Sequence, residues 1–212
     1  MQGLLGKKIG MARIFNDQGQ QVPVTVIECG PCTVLQRKTK DREGYDAVQM
    51  AFGETTEKRI AKAALGVCKK LNIKPLRYRC EMKMESGDEL KPGDVVTVKL
   101  FEGVPYVDVV GVSKGKGFAG VVRRYRMRGG PMTHGGHSKR RVGSVGCREL
   151  PGRIHKGKRM PGHMGAERVT QQNLQVVKVR PEEHVLLVRG SVPGHTGTVL
   201  IVKKSLKRGQ IK

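Results

Sequence analysis

Four groups of residues have the types and spacing for chemistry. Cys29-Gly30-Pro31-Cys32 is a CxxC pair, which supports thiol–disulfide exchange if a helix amino terminus lowers a thiol pKa, or zinc binding if a second pair completes the ligand set. Gly115-Lys116-Gly117-Phe118-Ala119-Gly120 has the GxGxxG spacing of a dinucleotide-binding loop. His134 and His137, with His155 and His163 further on, are of a type that ligates metals. The fourth group contains the second and third: Ser113–Gly165 holds fourteen Lys or Arg, thirteen Gly and four of the six His, against the single acid Glu149.

Three of these groups lack the parts their chemistry needs. The CxxC lies between two β-branched runs, where a Gly-Pro turn linking strands fits better than a redox motif, and no second CxxC exists to complete a zinc site. After GxGxxG a helix and an acid about twenty residues on would be expected. The sequence instead continues Val121-Val122-Arg123-Arg124-Tyr125-Arg126, and no acid appears before Glu149. Glycines that let backbone lie against a phosphate ribbon explain the motif better. The histidines have no carboxylates beside them, so RNA contact or plain solvation fits better than metal binding. No nucleophile, base and orienting group fall together, and the expectation is a protein with no catalytic residues, no cofactor and no metal.

The basic window is different. It has too few large apolar side chains to offset the entropy of ordering its own backbone, so a polyanion is expected to hold it. The whole chain of 212 residues carries a formal charge of +23, and the remainder without the window carries only +10. Concentrated charge of one sign among glycines points to nucleic acid, with binding that weakens steeply in salt. Aromatic residues are scarce, with no Trp, four Tyr and four Phe, which favours phosphate and groove contacts over base stacking. The amino terminus has Lys7 and Lys8 but no apolar core of a secretory signal, and no run reaches membrane-span length. An odd count of five cysteines suggests reduced thiols in a cytosol-like compartment.

Strands on both sides must position the window. Before it, Ile9–Phe15, Val22–Glu28, Cys32–Lys38, Tyr45–Phe52, Leu76–Met84, Val95–Phe101 and Val104–Val112 read as β, with a short helix between Glu57 and Leu71. After it, Arg168–Gln172 leads into Leu174–Val179, followed by His184–Arg189 and Thr198–Lys203. Lys203, Lys204, Lys207, Arg208 and Lys212 then form a basic tail. Short Gly, Pro and Asp punctuation favours antiparallel packing over strand–helix–strand units. The economical plan is a mainly β protein: one discontinuous barrel from residues 1–112 and 166–212, with a short helical insertion at 57–71 and a basic extension at 113–165.

Phe101, Asp108, Gly111, Ser113, Gly115, Lys116, Gly117, Gly120 and Arg124 stand at the spacing of a family signature. The flanking pieces GLLGKKIGM, GPCTVLQRKT, GSVG followed by PGR, and KGKRMPGHMGAERVTQQNL extend the match over nearly the whole chain. This sequence resembles the bacterial branch of the universal large-subunit ribosomal protein three family. The resemblance implies a six-stranded barrel like that of translation elongation factors, interrupted by long loops. It also implies a structural role: direct binding of large-subunit (23S) rRNA near its 3′ end early in assembly, beside neighbouring ribosomal proteins. It implies no membrane and no small-molecule substrate, and a place in the cytoplasm within the large subunit. The family's extension enters the RNA towards the peptidyl transferase centre, which puts the tip here near Arg141–Pro151. Where many bacterial members carry a glutamine that is methylated in some, this chain has Cys147, and the acid Glu149 beside it has no physical explanation.

The expected RNA-binding residues are therefore in the extension. Lys114, Lys116, Arg123, Arg124, Arg126, Arg128, Lys139, Arg140, Arg141, Arg148, Arg153, Lys156, Lys158 and Arg159 would neutralise phosphates, with His134 and His137 beside them. Gly115, Gly117, Gly135, Gly136 and Gly162 would allow close backbone approach. Met127, Met132, Met160 and Met164 would either wedge against bases and riboses or pack within the extension. The rivals are an enzyme, either a nucleotide-dependent oxidoreductase or a thiol–disulfide exchanger, and a non-ribosomal architectural binder that prefers duplex DNA or binds RNA without a defined site.

Overall fold

The computed structural model describes residues 1–85 and 88–208, so Lys212 of the basic tail lies outside the described residues. The chain divides into two compact units: one from Met1–Val112 with the chain from Arg168 onward, the other Ser113–Glu167.

The first unit is built on a closed barrel. β1 (Gly3–Phe15) and β2 (Gln21–Cys29) form a hairpin. Then come β3 (Cys32–Lys38), a one-turn helix α1 (Lys40–Glu43), β4 (Ala47–Glu54), α2 (Lys62–Lys70), β5 (Leu76–Lys83), β6 (Val95–Val96) and β7 (Tyr106–Val112). In the second unit lie β8 (Phe118–Ala119), α3 (Val121–Tyr125) and β9 (Gly162–His163). The first unit resumes with β10 (Arg168–Arg180), β11 (Val185–Arg189) and β12 (Val199–Lys204). The barrel runs β1-β12-β7-β10-β11-β2 and closes on itself with every pairing antiparallel, as the family resemblance implies. Closure satisfies every strand's outer hydrogen bonds and leaves no barrel edge.

The strands of residues 32–96 do not join the barrel. They form a second antiparallel sheet in the order β5-β4-β3-β6. Alternation along each strand was legible in the sequence, but nothing in it says which sheet a strand belongs to. One apolar core serves both sheets: Leu4, Ile27, Val107, Leu186 and Leu200 of the barrel cluster with Val34, Val48, Met50 and Met82 of the second sheet. The expected strand Val95–Phe101 is shorter than its β-branched composition suggests. Only Val95–Val96 pair, and Val98–Phe101 turn into a 3-10 helix that buries Val98 and Phe101 completely. Burial of those two side chains overrides local β preference. β1 departs in the other direction, beginning at Gly3. The expected run Ile9–Phe15 is its outer part, where Met11 and Phe15 are exposed, while Leu4 and Leu5 supply the core.

Two details link the family signature to packing. Asp108, buried on β7, accepts a hydrogen bond from the Asn173 backbone N–H at 2.8 Å. Asn173 sits at positive φ where the β7–β10 register slips between Gln171 and Leu174, so the carboxylate holds a bulge in place. At Gly111 a Cβ would meet Leu200 Cδ2 at 2.6 Å, so any side chain there would displace the core.

Asp108→Ala strands the Asn173 N–H and is expected to cost about 1–3 kcal/mol of unfolding free energy, read from urea melts. Val112 and Arg168 are opposed in the β7–β10 ladder. Replacing Ser113–Glu167 with a two-residue Asn-Gly turn should therefore leave a barrel that melts cooperatively. Loss of the cooperative melt would show that the first unit needs the second to fold.

Candidate nucleic-acid interface

The second unit begins at a narrow neck built from backbone. The N–H of Ser113 donates to the Glu167 carbonyl at 2.9 Å, and that of Lys116 to the Met164 carbonyl at 2.9 Å. The N–H of Met164 donates to the Gly117 carbonyl at 3.0 Å, and β8 then pairs with β9 through Phe118–His163 and Ala119–Gly162. The Ser113 hydroxyl also accepts from the Glu167 N–H at 3.2 Å. Two chain segments this close leave no room for a Cβ at Gly165, which would lie 2.2 Å from the Lys114 carbonyl oxygen.

Past the neck, Gly120 opens the five-residue helix α3, which ends when Arg126 adopts a left-handed conformation. A helix does follow the GxGxxG glycines, but a single turn with no acid in reach is not a dinucleotide fold. Ala119 and Val121 are the only buried apolar side chains of this unit among the described residues. Its shape therefore comes from polar contacts and close backbone packing. One guanidinium nitrogen of Arg124 donates to the Met160 carbonyl at 2.8 Å, tying α3 to the returning chain. The guanidinium groups of Arg124 and Arg159 lie 5.0 and 5.8 Å from the centre of the Tyr125 ring. Further out, the Gly130 N–H donates to the Ser138 carbonyl, and a Cβ at Gly129 would fall 2.2 Å from the Lys139 carbonyl oxygen.

These contacts sort the expected site residues. Lys114, Lys116, Arg123, Arg126, Arg128, His134, His137, Lys139, Arg140, Arg141, Arg148, Arg153, Lys156, Lys158 and Arg159 are all exposed. Arg124 is half-buried and partly committed to Met160. Among the described residues every ion pair lies in the first unit, so none of the window's arginines or lysines is neutralised by an acid. The glycines divide in the same way. Gly115, Gly117 and Gly135 leave open space or ordinary contact where a Cβ would stand, so their backbones are approachable. Gly162 and Gly136 are needed by the fold as well: a Cβ on Gly162 would press on Arg124 at 2.7 Å, and one on Gly136 would meet the Pro131 carbonyl at 2.9 Å. The role of Tyr125 was missed in the sequence, although its position between Arg124 and Arg126 was the available cue.

The remaining chemical motifs resolve as structure. Cys29 and Cys32 flank the β2–β3 turn, with Gly30 at positive φ, and both are fully buried. Burial, reinforced by Cys32 and Glu28 beside it, pushes the Cys29 thiol far above its ordinary range. Burial likewise pushes Cys32 up to about 12, with a small opposing effect from its contact to the Leu5 carbonyl. Thiols held protonated in a core are poor nucleophiles. No group of three or more His, Cys, Asp or Glu among the described residues is arranged to hold a metal. His163 contacts the Gly165 carbonyl through Nε2 at 2.8 Å.

Comparison with known proteins matches residues 81–184 to the model of the family described as ribosomal protein L3. The large ribosomal subunit protein uL3 of Carboxydothermus hydrogenoformans is 47% identical over 206 residues, covering 97% of this chain and 98% of that protein. The protein of the same name from Heliobacterium modesticaldum is 48% identical over the same span, with the same coverage. That of Brachyspira pilosicoli is 40% identical over 208 residues, or 98% of this chain and 95% of that protein. This chain belongs to the ribosomal protein L3 family. The L3 family consists of structural ribosomal proteins, so the enzyme readings are set aside and the buried CxxC and short GxGxxG turn are parts of a scaffold.

Thiol titration checks the placement of the cysteines. In native protein an aromatic disulfide reagent should label exposed Cys147 quickly and half-buried Cys80 slowly, and reach Cys29, Cys32 and Cys68 only after denaturation. Cys147→Ser should remove the fast phase alone.

Proposed function

We propose that this chain is a structural constituent of the large ribosomal subunit that binds 23S rRNA directly through Ser113–Glu167 and helps organise that RNA during assembly in the cytoplasm. The observation that carries the reading is the set of exposed, acid-free cations on a segment that buries only two apolar side chains. Such a segment gains most of its ordering energy when phosphates occupy those cations and counterions are released. Family membership and the names of the relatives support the choice of partner.

In this reading the two units have different tasks. The barrel unit folds on its own core, and the extension enters the RNA towards the peptidyl transferase centre, with Arg141–Pro151 at its tip. Lys114, Lys116, Arg123, Arg126 and Arg128, together with the cations of 139–159, neutralise phosphates. Gly115, Gly117 and Gly135 let phosphate or ribose approach the backbone. Arg124 divides its donors between Met160 and RNA. Neighbouring large-subunit proteins complete the surroundings.

A tagged copy expressed in a bacterial host should sediment with large subunits and remain there after a high-salt wash. A copy with Ser113–Glu167 replaced by the Asn-Gly turn should stay at the top of the gradient despite a normal melt. Full-length protein that floats free, or that follows DNA, would overturn the reading.

A further inference from the structure

The charge outside the extension is not spread evenly. Residues 57–83 hold nine Lys or Arg against two acids, most of the excess charge of the remainder. All nine cations are exposed. The two nearby pairs remove little of this charge: Lys74 meets Glu54 at 3.0 Å, and Glu81 is taken by Lys38 at 2.6 Å.

The fold gathers part of this charge onto one surface. Arg77 and Arg79 are two residues apart on β5 and so share a face. Ala51 of β4 is opposite Arg79, and it is buried with Leu35 and Leu76 beneath Leu71 and Ile73 at the end of α2. That small apolar seam ties the chain that follows Lys69 and Lys70, through Leu71 and Ile73, to Leu76 at the start of β5, next to Arg77. β5 is an edge strand of its sheet, so this face borders open backbone. Arg77 also rims a cleft of about 600 Å³ whose lining mixes Lys7 with the carboxylates of Glu28 and Glu54, so the cationic surface is the face of β5 and not this cleft.

We infer that Lys69, Lys70, Arg77 and Arg79 form a second RNA-phosphate surface, on the barrel unit and independent of the extension. Charged residues on an edge strand guard against mispairing, and lysines in a last helical turn complement the helix dipole. Either task is met by one or two cations, not by nine against two. A protein partner fits less well. Interface cores favour aromatic and apolar anchors and are depleted in lysine, and from Glu57 to Lys83 the only exposed large apolar side chain is Val67. The second surface rests on the RNA-binding reading above and extends it: the chain would grip RNA at two places, so binding would outlast weakening of either.

The test uses the full chain and purified large-subunit rRNA, following filter binding from low to high salt. Each phosphate that a variant no longer neutralises should lower the slope of log affinity against log salt by about 0.7–0.9. A variant with Lys69, Lys70, Arg77 and Arg79 all changed to Gln should therefore lose roughly three units of slope. Arg77→Gln with Arg79→Gln, which leaves α2 untouched, should lose about half as much, with unchanged circular dichroism and melting. An extension variant, Arg126→Gln with Arg128→Gln, should lower the slope additively. If that extension variant loses slope while the quadruple variant matches the parent, the second surface is overturned and the RNA reading stands. If the parent itself shows no salt-dependent binding, both fall.

Discussion

The antiparallel ladder between β7 and β10 is the interaction on which the rest depends. It is a wall of the barrel, and its end, Val112 opposite Arg168, is where the chain departs and returns. Because the two strands are already paired there, the intervening residues form a closed excursion rather than a loose loop. Asp108 and Asn173 pin the register of that ladder through a bulge, and Gly111 lets Leu200 pack against it. Asp108 and Gly111 of the family signature thus serve to hold two strands in step. The six signature residues from Ser113 to Arg124 lie in the neck and the one helical turn beyond it.

The extension shows how a segment nearly without a core keeps a shape. Its contacts are backbone ladders, an arginine donating to a carbonyl, and glycines where two chains come too close for a Cβ. Those contacts are directional and consume few of its positive charges, so the cations face outward. A conventional apolar core would have required large side chains in the places now held by Arg, Lys and Gly. The composition is thus a compromise between holding shape and presenting charge, and Arg124 takes part in both.

Much of this was legible in the sequence. The strand runs, the helical stretch within 57–71 and the six-stranded barrel follow from alternation, turn residues and the family resemblance. Assignment of β3–β6 to a second sheet was not legible, because both sheets draw on one core and their strands have the same composition. The 3-10 turn at Val98–Phe101 was hidden for a related reason: Val98 and Phe101 look like strand residues until tertiary burial decides otherwise. Within the extension the type of each residue was plain, but not its task. Gly162 and Gly115 are alike in sequence, and only the structure shows that one makes room for Arg124 while the other lies open.

The barrel's strand order also dictates when it can form. β1 pairs with β12, with Gly3 opposite Lys203, so the first strand made waits for the last. β12 also fills the place between β1 and β7, and without it the wall is open. The barrel therefore cannot close before β12 has been made. Until then the exposed strand edges and the cationic excursion coexist in one nascent chain. Such non-local topologies fold slowly and are open to aggregation in the interval. For a protein this basic, the interval before closure is when stray polyanions compete hardest for it.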